Sequence, residues 1–339
     1  MPKVLVTGFV PFGDHSRNIS QDVLHALPDN FTIENPWISS KEQLLKTVKL
    51  DKLILEVDEV GARTVSQMVG RDSSNYDIII HLGLCAKCES VSIETKANPL
   101  LDMSIPDNSG RLVQNHRLGN KPLECDKVFL DHLKYPRIEN TNFSADAGSY
   151  ICNETLYNTY MVLDENNLTN KIPCFFLHLP DYDKITLSKA TDIVKSVITR
   201  LSFKLVLEVV AALIKHPLGY LIARRKSDEL NSLLWEFPGG KIEHGETVEQ
   251  AIEREIMEEF SWKISTGSHK GLYFHEYDRF FVNLHAIEVR LDENYDLADN
   301  KKWTCHDQVR LIDRSVENLK FLGADKEILQ DFIKNSNTM

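Results

Sequence analysis

The chain has 339 residues, of which 42% are hydrophobic and 26% charged, and its formal net charge at pH 7 is −11. This composition is typical of a soluble globular protein, and the length predicts two domains. The acidic balance argues against a general nucleic-acid binder, which needs a basic surface. No apolar run reaches the length of a membrane span, and the first residues lead into a strand-like run with no signal peptide. We therefore expect a cytoplasmic protein that binds neither a membrane nor a nucleic-acid polymer.

Strands alternate with helices in the first part of the chain. Strands are predicted at residues 4–6, 52–57, 76–81 and 174–179. Helices are predicted at residues 21–27, 61–69, 129–133, 149–163 and 186–201. This alternation predicts a doubly wound, mostly parallel sheet, which binds ligands at the carboxyl ends of its strands. The loop predicted at residues 7–13 leaves one such end.

Three side chains in this part could act together as a catalytic group. Cys152 follows a glycine turn and lies near the start of a predicted helix, where the thiolate is favoured. His178 ends a predicted strand, and Glu94 follows another strand and a loop. Cys, His and a carboxylate can serve as nucleophile, general base and orienting group. A single Cys or His is more often a packed core residue, so these residue types alone leave both interpretations open.

The remaining cysteines do not form a recognisable framework. Six cysteines are too few for a disulfide scaffold in a chain of this length and are compatible with a reducing compartment. Cys85 and Cys88 have the spacing of a metal or redox pair. No second Cys or His pair accompanies them, so the sequence favours a plain loop.

A cluster of acidic residues is the most specific pattern in the last third. Glu255, Glu258 and Glu259 lie at i, i+3 and i+4, so a helix would place them on one face, where they repel one another. A hard divalent cation bound through oxygen would remove that repulsion. Thr247 and Gln250 predict a capping box at the start of this helix, and residues 238–240 before it predict a turn where the backbone can approach a ligand closely. The alternative is an ordinary acidic surface helix.

Residues 1 to about 201 resemble pyroglutamyl peptidase I, a cysteine peptidase that removes an N-terminal pyroglutamate. The matching segments are residues 4–13, Asn18 with Ser20, 81–84, 105–108, 144–153 and 176–180. The resemblance implies that Cys152 is the nucleophile, His178 the base and Glu94 the orienting carboxylate. It also implies that Phe9 and Phe12 line the pocket for the lactam ring, with Asn18 nearby.

Two residues depart from the glutamate motif of that family. Thr95 stands where the family has Arg or Lys, and Pro99 stands where it has Asn. A missing cation could weaken stabilisation of the oxyanion, which is often the largest single contribution in acyl transfer. The sequence therefore leaves open whether this half is an active peptidase or a degenerate binding or scaffold module.

Residues 204 to about 334 resemble a mutator-type Nudix hydrolase, the class of the 8-oxo-dGTP and cytidine-nucleotide diphosphatases. The Nudix box is matched by Gly240, Glu246, Arg254, Glu255, Ile256, Glu258, Glu259 and Trp262. Ser261 departs from it, because the family has Gly there. Strands are predicted at 205–214, 219–225, 273–277 and 281–289, and a helix at 324–333.

The Nudix resemblance implies a role for each matching residue. Glu255, Glu258, Glu259 and the carbonyl of Gly239 would hold Mg²⁺, or else Mn²⁺. Glu246 and Arg254 would pair and fix the loop that contains Gly240 against the helix. The residues expected to contact substrate are Arg225 and Arg279 at the phosphates and Asp325 at the base edge. Asp307 is the candidate for a further carboxylate from a late loop. The alternatives are a helix-cap Asp and salt-bridged surface arginines.

The predicted fold is therefore an α/β domain with a doubly wound, mostly parallel sheet at residues 1–203, followed by an α/β/α Nudix domain with a mixed sheet at 204–339. The leading hypothesis is a bifunctional enzyme that acts on a nucleoside triphosphate and on a pyroglutamyl peptide. In one alternative only the Nudix half is catalytic, and in another the protein is a non-catalytic nucleotide sensor. Both families commonly self-associate, so a homo-oligomer is a further expectation.

Overall fold

The computed structural model describes residues 1–37, 45–72, 75–227, 231–292, 295–297, 301, 303–313 and 318–336. The chain clusters into two compact units, Met1–Phe203 and Lys204–Met339. Each hydrophobic core cluster of described residues draws on one unit only. That each unit folds independently as a domain remains a prediction.

The first unit is a sheet with helices on both faces. Its strands are β1 (Lys3–Phe9), β2 (Asn30–Glu34), β3 (Leu45–Leu55), β4 (Ile78–Leu84), β5 (Val91–Glu94), β6 (Lys96–Ala97), β7 (Leu100–Leu101), β8 (His116–Arg117), β9 (Leu123–Glu124), β10 (Thr141–Ser144) and β11 (Cys174–Leu179). Its helices are α1 (Ile19–Ala26), α2 (Glu59–Arg71), α3 (Lys127–Lys134), α4 (Ile151–Glu165) and α5 (Leu187–Leu201). The main sheet has seven strands in the order β10-β5-β11-β4-β1-β3-β2.

This sheet is mostly parallel, as predicted. Strands β1, β3, β4 and β11 run parallel to one another, because helical connections join them. Strands β1, β4 and β11 are mostly apolar and are buried on both faces, in two core clusters, whereas β3 alternates between apolar and charged residues. Strand β5 is the exception at the site, since it runs antiparallel to β11. The carboxyl ends of β1, β4 and β11 therefore meet at one edge.

One predicted loop in this unit begins later than expected. Strand β1 continues through Phe9, so the loop expected at residues 7–13 starts after it. Hydrogen bonding to the neighbouring strand extends β1, and that pairing is not visible in a local pattern. Glu94 follows β4 and a loop, as predicted, and is the last residue of the short strand β5.

The second unit is a mixed sheet between two helices. Its strands are β12 (Leu205–His216), β13 (Gly219–Arg225), β14 (Trp235–Glu236), β15 (Gly239–Lys241), β16 (Ile264–Glu276), β17 (Phe280–Leu291) and β18 (His306–Ile312). Its helices are α6 (Val248–Phe260) and α7 (Asp325–Ser336). Strand β12 is parallel to β17 and antiparallel to β13 and β15, so the sheet is mixed, as predicted.

Alternation along β12 builds both layers of this core. Val210, Ala212 and Ile214 pack under α6, whereas Ala211 and Leu213 pack towards α7. The result is the predicted α/β/α arrangement. No helix among the described residues has the length and apolar character needed to cross a membrane.

The segment before α6 differs from the prediction. A turn was expected at residues 238–240, but Gly239–Lys241 forms β15 and pairs with β12. Gly239 has a φ of 155°, and a Cβ there would lie 1.9 Å from the carbonyl oxygen of Val210. Only glycine allows the two strands to approach this closely.

Candidate active sites

Cys152 is the second residue of α4, at the carboxyl edge of the main sheet. The residue before the helix, Tyr150, makes no side-chain capping bond, so the first N–H groups of α4 are available to a ligand. A helix N-terminus of this kind favours negative charge on a thiol and on an oxyanion. The structure thus places Cys152 where the sequence predicted it.

His178 and Glu94 come together across two antiparallel strands. In the β5–β11 ladder Glu94 lies opposite Phe176, which places it diagonal to His178 on the same face. Glu94 Oε1 is 2.8 Å from His178 Nδ1. Glu94 is 2% exposed, and its other carboxylate oxygen has no hydrogen-bond partner among the described residues. A buried carboxylate in this setting needs a cationic partner, and the imidazole is the one it contacts.

The charge on His178 is stabilised by both neighbours. Burial alone would lower its pKa, but the charge and hydrogen bond of Cys152, together with the hydrogen bond to Glu94, raise the pKa of His178 from 6.5 to about 10. The imidazole is therefore set between the thiol and the carboxylate. This is the order of groups that the sequence predicted.

Gly83 allows these groups to lie close together, and sequence reasoning missed it. It is opposite His178 in the β4–β11 ladder. A Cβ at this position would lie 2.7 Å from the ring of Phe176 and 3.2 Å from Sγ of Cys152. A glycine at the end of a buried strand is the signal that could have identified it, because such a glycine marks close approach.

The two phenylalanines predicted to line a lactam pocket lie in different surroundings. Phe9 is 3% exposed and packs on Phe176, with ring centroids 6.3 Å apart, so it supports the site from within the core. Phe12 is partly buried, and its ring centroid lies 6.0 Å from that of Tyr150. Tyr150 was not predicted, although an aromatic residue two positions before the nucleophile is visible in the sequence.

Asn18 has a structural role that the sequence did not predict. It caps α1, because its Oδ1 accepts hydrogen bonds from the backbone N–H and the hydroxyl of Ser20. Its Nδ2 donates to the carbonyl of Val10 at 3.1 Å. Asn18 therefore holds the chain segment that leads to Phe12.

Thr95 carries no positive charge and so does not replace the basic residue that the family has at this position. Its hydroxyl donates to the carbonyl of Ser144 at 2.9 Å. Beyond it, the backbone of Asn98 is held by Asn153, which accepts the N–H at 2.7 Å and donates to the carbonyl at 3.0 Å. The segment that ends at Pro99 is thus tied to the helix that carries the nucleophile.

The plain loop expected at Cys85 and Cys88 is wrong. The two cysteines form a disulfide directly after β4. The N–H of Cys85 donates to the carbonyl of Leu179, the residue after His178. Local spacing could not decide this point, because a C-x-x-C pair is compatible with a loop, a metal site or a disulfide.

In the second unit, Glu246 and Arg254 form the predicted pair. Arg254 donates through Nε to Glu246 Oε1 at 2.6 Å and through Nη2 to Oε2 at 2.9 Å. The same Nη2 donates to the carbonyl of Lys241 at 2.9 Å. A bidentate guanidinium contact of this kind fixes the loop before α6 against the helix.

The three glutamates of α6 differ in their surroundings. Glu255 is within 2.7 Å of Arg254, whereas Glu258 is exposed and lies 3.4 Å from the same guanidinium. Glu259 is 7% exposed, and its Oε2 accepts a long hydrogen bond of 3.3 Å from the N–H of Gly239. Burial raises the pKa of Glu259 well above its ordinary value, and the charges of Glu236 and Glu255 raise it further.

Two residues that sequence reasoning missed complete this cluster. Glu236 is 7% exposed, and its Oε1 lies 2.9 Å from Arg225 Nη1 and 2.8 Å from His306 Nε2. Nδ1 of His306 faces Oε2 of Glu259 across 3.9 Å. Only the tertiary structure brings β13, β14, β18 and α6 to one place, so no local pattern identified Glu236 or His306.

The other residues that were predicted to contact the substrate or the metal ion have partners within the protein. Asp325 is the first residue of α7, and its Oδ1 accepts the backbone N–H of Phe237 at 2.7 Å. Burial raises the pKa of Asp325 well above its ordinary value. Arg279 is half-buried in the turn between β16 and β17. Asp307 was expected on a late loop, but it lies in β18 and makes a bidentate ion pair with Arg224, both contacts at 2.9 Å.

Comparison with known families agrees with these two sites. The model of the pyroglutamyl peptidase family matches residues 2–216, and the model of the NUDIX domain matches residues 206–325. The chain is thus a fusion of two hydrolase domains. It belongs to the pyroglutamyl peptidase family, whose model covers more than half of its length, and it carries a NUDIX domain whose match begins at residue 206, within the last residues of the first match. Both predicted resemblances are confirmed.

Individual relatives match each part separately. A pyrrolidone-carboxylate peptidase of Thermosipho melanesiensis is 30% identical over 193 residues, which span 52% of this chain and 82% of that relative. A CTP pyrophosphohydrolase of Escherichia coli is 36% identical over 83 residues, which span 24% of this chain and 62% of that protein. The crystal structure of pyrrolidone carboxyl peptidase from Thermus thermophilus covers 58% of this chain and 99% of its own, with 27% identity and a TM-score of 0.45.

NUDIX domains generally use a divalent metal such as Mg²⁺. Among the described residues, no three His, Cys, Asp or Glu side chains converge closely enough to hold a metal ion. The reason is local, since Arg254 lies within 4.0 Å of two of the three α6 glutamates. The donors nevertheless fit such an ion in their chemistry. They are carboxylate oxygens, and the buried Glu259 lies near two further carboxylates, with one long hydrogen bond from Gly239 and the charge of Arg225 in its favour.

Proposed function

We propose that the chain is a bifunctional hydrolase. The Met1–Phe203 unit removes pyroglutamate from the N-terminus of peptides, and the Lys204–Met339 unit hydrolyses a nucleoside triphosphate to a monophosphate and pyrophosphate. The observation that carries the first activity is the hydrogen bond between His178 and the buried Glu94, at the edge of the sheet where α4 begins with Cys152. The second rests on the α6 glutamates beside the Glu246–Arg254 pair.

Peptide cleavage would follow from the positions of three side chains. Sγ of Cys152 attacks the carbonyl carbon of the peptide bond that follows the lactam residue, the C–N bond of that peptide breaks, and water then hydrolyses the resulting thioester to release pyroglutamate and the thiol. His178 holds the thiol proton and then delivers it to the leaving amine. Glu94 binds Nδ1 and so turns Nε2 towards Cys152. The N–H groups at the start of α4 stabilise the oxyanion, because no basic residue stands at Thr95 to do so.

The lactam ring would pack against Phe12 and Tyr150, whose ring centroids lie 6.0 Å apart. Phe9 supports this wall through Phe176, and Asn18 fixes the segment before Phe12. A small neutral ring suits an aromatic pocket, which excludes charged side chains at the same position.

A fluorogenic assay tests the peptidase proposal. We expect the protein, kept reduced, to release coumarin from a pyroglutamyl-coumarin amide, and Cys152→Ser to abolish release. Cys125→Ser is the matched control, because burial raises the pKa of Cys125 to about 12 and makes it a poor nucleophile at neutral pH. Absence of release by the wild type, with Cys152→Ser indistinguishable from it, would contradict the proposal.

For the nucleotide activity, Glu255, Glu258, Glu259 and the carbonyl of Gly239 would hold Mg²⁺, or Mn²⁺ in its place. The bound ion supplies charge neutralisation of the phosphates and an activated water. Reorientation of Glu258 is the smallest change that would assemble this set, because that side chain is exposed. The acidic domain needs such an ion to accept a chain of phosphates.

The remaining residues would recognise the nucleotide. Arg225 and Arg279 contact phosphate oxygens, and Asp325 reads an edge of the base. The buried Asp325 could present a proton as well as accept one, since its pKa is raised by burial. Similarity to a CTP pyrophosphohydrolase supports a cytidine nucleotide, and 8-oxo-dGTP is the second candidate.

A nucleotide panel tests this proposal. We expect the protein with Mg²⁺ to release pyrophosphate from at least one of the canonical or oxidised nucleoside triphosphates. Glu258→Gln should reduce the rate strongly, since it removes one carboxylate of the proposed ion site. Turnover that is absent on the whole panel, or unaffected by Glu258→Gln, would refute it.

One alternative remains supported by a specific observation. Because Thr95 stands where the family has a basic residue and donates its hydroxyl to Ser144, the first unit could bind pyroglutamyl peptides without cleaving them. The coumarin assay separates this case from the bifunctional enzyme. The nucleotide panel separates both from a sensor that binds nucleotide without turnover. We propose a cytoplasmic location, where nucleoside triphosphates are found, and sedimentation would test the expected homo-oligomer.

A further inference from the structure

A buried histidine occupies the centre of the NUDIX-domain cluster. His306 is fully buried at the start of β18. The β13–β18 ladder shifts register between Arg224 and Arg225, next to the pairing of Arg225 with His306. An irregularity of this kind re-aims the side chain beside it. Here it directs the imidazole between β14 and α6.

The segment before His306 is fastened to the end of α6. The N–H of Thr304 donates to the carbonyl of Glu259 at 3.0 Å. The imidazole itself stacks on Phe260, with ring centroids 5.0 Å apart and an interplanar angle of 12°. The position of His306 relative to the acidic face of α6 is therefore set by both backbone and side-chain contacts.

The two ring nitrogens have different neighbours. Nε2 is 2.8 Å from Oε1 of Glu236, and because a carboxylate oxygen can only accept, Nε2 is the donor. Nδ1 is buried without a hydrogen-bond partner among the described residues and faces Glu259 at 3.9 Å. The imidazole thus lies between two buried carboxylates, those of Glu236 and Glu259.

We infer that His306 is a positioning residue of the nucleotide site: by holding Glu236 through Nε2 and packing on Phe260, it keeps Glu259 in place for a divalent cation. This inference rests on the proposed nucleotide activity. Residues that orient the ligands of a metal typically change affinity or activity about 10- to 100-fold when they are removed. His306 acts through Glu236 and Glu259 and does not itself contact the substrate.

Three substitutions separate the contribution of each ring nitrogen from the contribution of ring packing. His306→Gln places an amide N–H near the position of Nε2, His306→Asn places one near Nδ1, and His306→Phe keeps only the ring. In the full-length protein, Mn²⁺ binding measured by electron paramagnetic resonance gives a readout that needs no turnover. The kcat and KM for CTP and dGTP with Mg²⁺ are measured in parallel.

We expect His306→Phe and His306→Asn to weaken Mn²⁺ binding and lower kcat by about 10- to 100-fold, while KM changes little. His306→Gln should stay close to the wild type. His285→Gln is the matched control, because His285 also contacts a glutamate, Glu208 at 2.7 Å, but lies on β17 outside the site. Thermal unfolding identifies any variant that fails to fold. If His306→Phe does not fold, the comparison of His306→Gln with His306→Asn still tests the inference.

The inference is overturned if Mn²⁺ binds His306→Phe as tightly as the wild type, or if Asn restores binding and Gln does not. The second result would assign the function to Nδ1 and not to the contact with Glu236. Absence of wild-type turnover would instead remove the proposed nucleotide activity, while the Mn²⁺ measurement would still decide the role of His306.

Discussion

At the scale of single residues, the peptidase-type site depends on how charge is held on His178. Glu94 is almost fully buried, and one of its oxygens has no partner among the described residues. Its contact with the imidazole is therefore the main compensation for its burial. Removing one partner of a buried pair of this kind costs about 3–5 kcal/mol, because the other is left uncompensated.

The first prediction concerns Glu94→Gln and its dependence on pH. The pKa of His178 is raised from 6.5 to about 10 in the folded protein. A raised pKa means that the charged imidazole stabilises the fold fully below its unfolded pKa of 6.5, and that this contribution is lost as the pH rises to about 10. The difference in free energy of unfolding between the wild type and Glu94→Gln should therefore shrink over that range. Urea denaturation at several pH values measures it.

The control for this prediction is the same comparison in a Cys152→Ala background. Cys152 makes the largest upward contribution to the pKa of His178. Without Cys152 the pKa of His178 should fall, so the pH range over which the stability difference shrinks should become narrower. A difference that stays constant or grows with pH would show that Glu94 does not act through the charge on the imidazole.

The second prediction concerns Gly83→Ala. The added methyl would lie 2.7 Å from Phe176 and 3.2 Å from the nucleophilic sulfur, so one of them must move. A displacement of about 1 Å at a reacting group can lower the rate about 100-fold. We expect a loss of this order in kcat/KM for the pyroglutamyl-coumarin amide. Gly70→Ala is the control, because its Cβ would meet Val162 at 3.5 Å, an ordinary contact; equal rates for both variants would count against the geometry.

At the scale of elements, helix α6 has a capping box at its start and a left-handed residue at its end, and mutations can change each of these ends separately. The capping box predicted at Thr247 and Gln250 is confirmed, since each side chain bonds the backbone of the other. Ser261, where the Nudix box has Gly, ends the helix with a φ of 58°. The turn after the helix is thus retained despite the departure, with a serine in a left-handed conformation.

The third prediction is that the two ends respond in opposite directions. Thr247→Ala should lower the free energy of unfolding by about 1 kcal/mol, because the N-terminal N–H group loses its acceptor. Ser261→Gly should raise it by about 0.5–1 kcal/mol, because glycine adopts the left-handed conformation without steric cost. Chemical denaturation of the separate NUDIX unit or of the full chain measures both. Changes of the same sign would contradict the assignment of the two caps.

At the scale of the whole molecule, the chain is two hydrolase domains with separate cores. Helix α5 ends at Leu201 and β12 begins at Leu205, so the connection is short. None of the four core clusters of described residues crosses this connection. Separate cores predict separate folding.

The fourth prediction is that the two activities are independent. Cys152→Ala should abolish peptide cleavage and leave nucleotide hydrolysis unchanged, whereas Glu259→Gln should do the reverse. Residues 1–203 and 204–339, expressed separately, should each unfold cooperatively and keep the corresponding activity. Loss of both activities from a single substitution, or insolubility of both fragments, would show that the units depend on each other.

Local patterns in the sequence determined the fold class, the Nudix helix with its cap, and the strands at 174–179 and 219–225, whose bounds match β11 and β13. These features depend on side-chain periodicity and on neighbours within one turn or strand. The contacts between Glu94 and His178, 84 residues apart, and between Glu236 and His306, 70 residues apart, were decided only by the tertiary structure. Strand order and the approach of separate elements determine which buried groups meet, and neither is encoded in a local repeat. For the same reason the disulfide after β4 and the pairing of Asp307 with Arg224 could not be deduced from spacing alone.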